Sequence, residues 1–149
     1  MRVRSATFGI LVTILSLLLP QNSAFAEYHY GIAPASDNIL GVDFHLILEY
    51  DSVSDHVRAE GIIEATGSDH AGRIYYVSLF ENSGLGWDNV ANFIPEDGIA
   101  TNGFLSVIAG PVNCHLGFYY ATMKYHVDGT SETRTIKTDE YVPGDCPNT

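Results

Sequence analysis

The triplet Ser-Asp-His occurs twice in the stretch 54–70, first at 54–56 and again at 68–70. Serine, histidine and aspartate are the nucleophile, base and orienting group of one large class of hydrolases. Such a triad requires the three side chains to converge, whereas the side chains of adjacent residues diverge. The chain also lacks the G-x-S-x-G turn that presents a nucleophilic serine in many hydrolases. The sequence therefore predicts no catalytic residue.

A metal site is the second chemistry that residue types and spacing suggest. Asp43 and His45 alternate along a predicted strand, which places them on one face about 6.6 Å apart. Together they are the candidate metal ligands, provided that a neighbouring strand supplies a third group. No cofactor is predicted. Ca²⁺ is the ion for which the acidic segments "PEDG", "EYDSVSD" and "KTDEYVPGD" offer oxygen ligands, although none has the EF-hand spacing.

A binding site is the third possibility, centred on Trp87, the single tryptophan of the chain. The surrounding stretch "NSGLGWDNVANF" adds Asp88, Asn89 and Asn92, which can hydrogen-bond hydroxyl groups. An aromatic ring with nearby amides suits a sugar, and an exposed tryptophan also suits a protein interface. The alternative is that Trp87 covers one end of the core. We expect these residues on a long loop, 82–102, with a short strand or helical turn near 90–94.

The amino-terminal segment predicts export. Residues 1–26 contain Arg2 and Arg4, an apolar run over 8–19 and the ending Ala-Phe-Ala, which together are typical of a secretory signal peptide. The run is shorter than the roughly 20 apolar residues of a spanning helix. We expect a single secreted or periplasmic domain over 27–149, with no membrane span after signal removal.

The charge of the chain limits its partners. The whole sequence carries a formal net charge of −11, and removal of the two arginines of the signal leaves 5 − 18 = −13. Nucleic-acid binding is not expected, since contact with phosphates requires a basic surface. A carbohydrate or a basic protein remains compatible with this charge.

Two cysteines, Cys114 and Cys146, are predicted to form a disulfide in an oxidising compartment. Asp128-Gly129 is a strong hairpin signal between two strand-like segments. A two-residue loop would place Cys114 opposite Pro143, and a four-residue loop would place it opposite residue 145. Both registers bring the cysteines close together, so the disulfide would clamp the open end of the hairpin and contribute about 3.5 kcal/mol.

The apolar residues alternate along two segments, with Val42, Phe44, Leu46, Leu48 and Tyr50 facing inward in the first, and Val57, Ala59, Gly61, Ile63 and Ala65 in the second. A third segment, 73–81, has large apolar groups on both faces, which is typical of a central strand. Short polar turns between the three indicate an antiparallel meander. The two Ser-Asp-His triplets would then lie about 30 Å apart at the ends of one strand, their aspartates bonded to turn amides.

The predicted fold is an all-β antiparallel sandwich of about six to eight strands, immunoglobulin-like in general architecture, with a small barrel as the alternative. It departs from an antibody domain because Trp87 precedes both cysteines. The predicted function is a secreted, non-catalytic binding domain whose target is a carbohydrate or a basic protein. The alternatives are a metal-dependent or hydrolytic secreted enzyme, and a surface or assembly subunit whose strand edges pair between copies.

Overall fold

The protein is a β-sandwich of two antiparallel sheets packed face to face, as seen in a computed structural model that describes residues 28–30, 35–143 and 146. The predicted signal peptide, residues 1–26, lies outside the described residues. The strands are β1 (Tyr28–Tyr30), β2 (Ala35–Ile39), β3 (Val42–Asp51), β4 (His56–Glu64), β5 (Gly72–Asn82), β6 (Trp87–Phe93), β7 (Ile99–Ala100), β8 (Phe104–Asn113), β9 (Phe118–Val127) and β10 (Thr133–Lys137).

The first sheet contains β3, β4 and β8 in that order, with β1 and β2 both paired to the free side of β3. The second sheet has the order β10-β9-β5-β6, and the short β7 pairs with the start of β5. The sandwich prediction is confirmed, and the sheets do not close into a barrel. The structure has ten strands because three short ones, β1, β2 and β7, join the seven longer ones.

The predicted meander is wrong at its third strand. Although β3 and β4 pair as expected, β4 takes β8 as its second neighbour, and β5 pairs with β9 and β6 in the opposite sheet. The connection 65–71 is long enough to cross the roughly 10 Å between stacked sheets. Residues of β5 therefore face β4 across the core instead of lying beside it.

The core forms between the inner faces of the two sheets, and both predicted inward rows are confirmed. Alternation places ten residues inward: five on β3, four on β4, and Ala65 directly after β4. All ten are buried. From the second sheet, Ile74, Val77 and Leu79 of β5 meet Met123 and Tyr125 of β9 in the same interior. The prediction that β5 is central is also confirmed, since it lies between β9 and β6.

The region 82–102, predicted as a long loop, has ten of its 21 residues in strands. It forms a hairpin in which β6 returns along β5, followed by β7. Gly84 and Gly86, with φ of 101° and 131°, make the turn in a conformation that favours glycine. The short strand or helical turn expected near 90–94 overlaps the second half of β6. The earlier start of the strand, at Trp87, was not predicted, because most side chains of β6 are exposed and leave no alternating apolar pattern.

The hairpin of β9 and β10 follows the four-residue register, with His126 opposite Thr133. Farther along, Tyr119 pairs with Tyr141, a shift of one residue relative to that register. The shift places Cys146 opposite Cys114, with 5.4 Å between the two Cα atoms, and the predicted disulfide joins them.

Tyr119 anchors the segment that precedes β9. Its hydroxyl accepts a hydrogen bond from the His115 amide at 2.8 Å and donates to Glu81 Oε1 at 3.0 Å. A tyrosine near the start of a strand that bonds the backbone a few residues upstream is typical of immunoglobulin-like sandwiches. Burial raises the pKa of Tyr119 to about 12, an effect that the His115 backbone reduces and the Glu81 carboxylate enlarges.

A second tyrosine ties the two sheets together. Tyr125 of β9 donates to Asp37 Oδ2 of β2 at 2.5 Å, and Arg134 of β10 donates to the same oxygen at 3.1 Å. Burial by itself would raise the pKa of Asp37, but the bonds from Tyr125 and Arg134 outweigh it and hold this pKa below its ordinary value. Burial, together with the Asp37 carboxylate, raises the pKa of Tyr125.

Replacement of Cys114 or Cys146 by alanine is expected to lower the free energy of unfolding by about 3.5 kcal/mol. The disulfide closes a loop of 32 residues, and without it the unfolded chain has more conformational entropy. Thermal unfolding of each variant, with and without reductant, measures this loss. Reductant should lower the melting temperature of the wild type and leave that of the variants unchanged. An equal response of all three proteins would contradict the assignment.

The buried tyrosines predict a loss of stability in alkali. Because Tyr119 and Tyr125 have raised pKa values in the folded state, their contribution is complete below the ordinary pKa of about 10 and is lost as pH rises toward 12. Urea unfolding between about pH 9 and 12 measures the slope. We expect Tyr119→Phe and Tyr125→Phe to flatten it, whereas Tyr75→Phe, at an exposed position, should not.

Candidate binding face

The hairpin of β5 and β6 decides which predicted site residues lie together. Trp87 pairs with Asn82, Asn89 with Phe80 and Asn92 with Ser78. A β-bulge lies between these pairs, since the residue after Asn89 has no partner on β5. The extra residue restores the alternation, so Trp87, Asn89 and Asn92 share the outer face of the second sheet.

Asp88, the fourth predicted residue, is separated from the other three. It pairs with Glu81, whose side chain points inward and is nearly buried. Asp88 therefore projects from the opposite side of β6, at the edge of the sheet. The structure thus brings together three of the four residues that the sequence singled out.

Trp87 lies against the outside of the sheet and does not cover an end of the core. Its side chain is 37% exposed, and its ring reaches across β5 to make an edge contact with Tyr120, with 4.5 Å between ring centroids. Tyr120 in turn stacks on Phe80 at 4.7 Å with 13° between the ring planes. Phe118, also 49% exposed, pairs with Asn82 at the end of the same row. We call Phe80, Trp87, Phe118 and Tyr120 the aromatic face.

Phe80, Phe118 and Tyr120 were missed as site residues. A signal was present, because the segments that became β5 and β9 carry large side chains on both of their faces. On a strand with one face in the core, the other set of aromatic residues must lie outside.

Polar groups border the aromatic face. Ser78 donates a hydrogen bond to Asn92 Oδ1 at 2.7 Å, so the Asn92 amide nitrogen points away from Ser78 and can donate to a ligand. Lys137 Nζ lies 3.8 Å from the centroid of the Tyr120 ring and 5.9 Å from that of Trp87. The same ammonium forms an exposed ion pair with Glu140 at 3.8 Å.

The whole outer face of the second sheet follows from the register of its strands. The outward positions alternate with the buried ones, apart from the two bulges in the β5 pairings. They are Arg73, Tyr76, Ser78, Phe80 and Asn82 of β5, Trp87, Asn89 and Asn92 of β6, Phe118, Tyr120, Thr122, Lys124 and His126 of β9, and Thr133, Thr135 and Lys137 of β10.

A groove of about 380 Å³ continues the aromatic face at one end of the sheet. The turn between β5 and β6 forms one wall and the segment 116–118 forms the other, with Phe118 and Asn82 shared between groove and face. A side chain at Gly117 would begin 2.7 Å from the Asn82 carbonyl oxygen, so this approach requires glycine. The disulfide and the Tyr119 hydroxyl hold the second wall in place.

The candidate metal ligands Asp43 and His45 share the outer face of the first sheet, as predicted. They pair across β3 and β4 with Glu64 and Ile62 respectively. Asn38 donates a hydrogen bond to Asp43 Oδ1 at 2.6 Å. Among the residues that the structure describes, no three side chains of His, Cys, Asp or Glu are grouped so as to hold a metal ion.

The two Ser-Asp-His triplets lie at opposite ends of β4, in agreement with the sequence interpretation. Their aspartates do not accept the expected bonds from turn amides. In the first turn the amides of Val53 and Ser54 donate to Asp51, which precedes the triplet, and in the second the His70 amide donates to Ser68 Oγ. Asp55 instead accepts a hydrogen bond from the Tyr50 hydroxyl at 3.0 Å.

A shallow cavity of about 80 Å³ brings Asp51, Ser54 and His56 to one place. The Ser54 hydroxyl donates directly to Asp51 Oδ2 at 2.6 Å, whereas a catalytic triad requires the imidazole between serine and carboxylate. The Ser54 hydroxyl and the Val53 amide also lower the pKa of Asp51. This cluster has the contacts of a turn and not those of a nucleophile.

Comparison with family models, with curated proteins and with solved structures gives no match for this chain. Within the part of the chain that the structure describes, no helix is long and apolar enough to cross a membrane.

Proposed function

We propose that this is an exported, non-catalytic binding protein that holds a carbohydrate on the outer face of its second sheet. The observation that carries the proposal is the aromatic face, with Trp87 partly exposed and the Asn89 and Asn92 amides on the same side of β6. The C–H faces of sugar rings pack on aromatic rings, and amides can exchange hydrogen bonds with sugar hydroxyls.

The form of the site favours an extended ligand. The rings lie on a sheet and not in a closed cavity, and the groove beside Phe118 continues the surface past the end of β5. The aromatic rings are braced by direct cross-strand contacts, so a ligand meets a surface that loses little freedom on binding. Tryptophan, phenylalanine and asparagine side chains make up most of the site, and they supply neither a nucleophile nor a general base, which favours recognition over catalysis.

Export is supported by two features. The Cys114–Cys146 disulfide is stable in oxidising compartments, which include the periplasm and the exterior of the cell. The segment 1–26 has the composition of a signal peptide. A binding protein in such a compartment would meet extracellular or cell-wall glycans.

The carbohydrate proposal predicts that soluble hexaoses of glucose, xylose or mannose change the fluorescence of Trp87, the only tryptophan. Trp87→Ala should weaken binding at least about tenfold, equivalent to about 1.4 kcal/mol, as measured by isothermal titration calorimetry. Phe104→Ala is the matched control, since this aromatic side chain is 64% exposed on the other sheet. Equal affinity of Trp87→Ala and the wild type for every oligosaccharide that binds would contradict the proposal.

A basic protein is the second candidate target, and the outer face of the first sheet favours it. Asp43 and Glu64 lie directly opposite each other there, a like-charge pair that a cationic partner would relieve. Glu60 shares the face with Ile108 and with exposed Phe104. A partner that alternates cationic and apolar side chains would complement this surface.

A synthetic peptide of alternating lysine and isoleucine tests the second candidate. We expect binding that weakens steeply from about 0.01 M to about 0.15 M salt, over which the screening length falls from about 30 to about 8 Å. The combined change Glu60→Gln and Glu64→Gln should remove most of the affinity at low salt. Glu132→Gln, at an exposed position of the β9–β10 turn, is the control. Salt-insensitive binding would exclude an electrostatic partner.

A further inference from the structure

The two outer faces of the sandwich differ sharply in charge. The outward positions of β5, β6, β9 and β10 include no aspartate or glutamate, and they include three cations, Arg73, Lys124 and Lys137. The part of the chain after residue 26 has only five lysines and arginines against eighteen acidic residues. Three of these five cations therefore lie at outward strand positions of the second sheet, where the carboxylate recorded beside them is that of Glu140, which follows β10 and pairs with Lys137.

The remaining two cations are engaged elsewhere in neutralising carboxylates. Arg58 forms an ion pair with Glu49 on the first sheet, where Glu49 is buried. Arg134 bonds Asp37 and helps to join the two sheets. Among the described residues, Arg73 and Lys124 form no ion pair, and Lys137 has only the exposed pair with Glu140.

The three cations line up with the aromatic face. Lys137 Nζ lies over the Tyr120 ring, and Lys124 follows Tyr120 by four residues on the same face of β9, about 13 Å along the strand. Arg73 of β5 lies opposite His126, which follows Lys124 by two residues on β9. A polymer stacked on Trp87 and Tyr120 and lying along β9 would pass each cation in turn.

From this arrangement we infer that the ligand of the aromatic face is an acidic carbohydrate, a polymer of uronic acid residues. The inference rests on the proposed carbohydrate function and adds the charge of the ligand to it. A neutral sugar gains only from the rings and amides, whereas a uronate also forms charge-assisted hydrogen bonds with the ammonium groups. Its carboxylate would replace Glu140 beside Lys137, since that ion pair is exposed and its charges are 3.8 Å apart.

The same combination of cations and aromatic rings also occurs in proteins that bind single-stranded nucleic acid. The uronate is favoured because it agrees with the exported, carbohydrate-binding function proposed above, which the disulfide and the signal-like segment 1–26 support. The experiment includes an oligonucleotide for this reason.

The test compares hexagalacturonate with its fully methyl-esterified form, which has the same rings without the charge. By isothermal titration calorimetry, the acidic oligomer should bind wild-type protein at least about tenfold more tightly than the ester, and salt should reduce that difference. Combining Lys124→Gln with Lys137→Gln should remove most of the difference between the two affinities, since only Arg73 of the three cations remains. Combining Lys124→Arg with Lys137→Arg, which keeps both charges, should preserve most of it.

The outcomes separate this inference from the function on which it rests. If the ester binds as tightly as the acid, or if the Gln variant binds the acid as the wild type does, the acidic ligand is refuted and carbohydrate binding stands. If Trp87→Ala leaves every oligosaccharide affinity unchanged, the proposed function fails as well. Tighter binding of an oligothymidylate than of hexagalacturonate, lost in the Gln variant, would assign the face to nucleic acid and overturn the inference.

Discussion

The close approach of the two sheets at Gly61 is the constraint on which the rest of the structure depends. A methyl group at this position would lie 2.6 Å from Val77 Cγ2 and 2.7 Å from Met123 Sδ, so the facing sheet packs directly onto the backbone of β4. Because each strand turns one set of alternate side chains into that narrow interior, the other set must face outward. The aromatic face is therefore a consequence of packing: once Val77 and Met123 are fixed in the core, Phe80 and Tyr120 are held on the outside.

Bulges then select which side chains share that outer face. On β6 the extra residue after Asn89 keeps Asn92 on the same side as Trp87, and without it Asn92 would point toward the core. On β5 the bulge at Tyr75 has the same effect, because it allows Ile74 and Val77 both to face inward, although they are an odd number of residues apart. Tyr76 then lies outside, opposite Lys124. The two β-bulges thus keep the outward-facing residues of β5 and β6 on one continuous surface, which strict alternation would have interrupted.

The parts of the fold that follow from a single strand could be predicted from the sequence. Alternation along β3 and β4 identified their buried faces. The disulfide was identified because Cys114 and Cys146 lie at similar distances before and after the predicted turn at 128–129. The neighbours of β5 could not be predicted, because the apolar pattern within a strand is the same whether the next strand continues the sheet as a meander or crosses to the facing sheet. Only the end of β6 was anticipated, as a short strand or helical turn near 90–94, since exposed strands at a sheet edge have no apolar period. Trp87, Asn89 and Asn92 were singled out by residue type together with Asp88, but the separation of Asp88 from the other three depends on a register that composition does not reveal.

Charge is the property for which the sequence average and the local structure differ most. A net charge of −11 favours a cationic partner, yet a ligand responds mainly to charges within the screening length, about 8 Å at physiological salt. The sheets themselves are stacked roughly 10 Å apart. Asp43, Glu60 and Glu64 are therefore screened from a ligand on the opposite face, which meets Lys124 and Lys137 instead. A β-sandwich can separate its charges in this way because its two outer surfaces are independent sets of alternate residues, and an acidic chain can present a face suited to an acidic ligand.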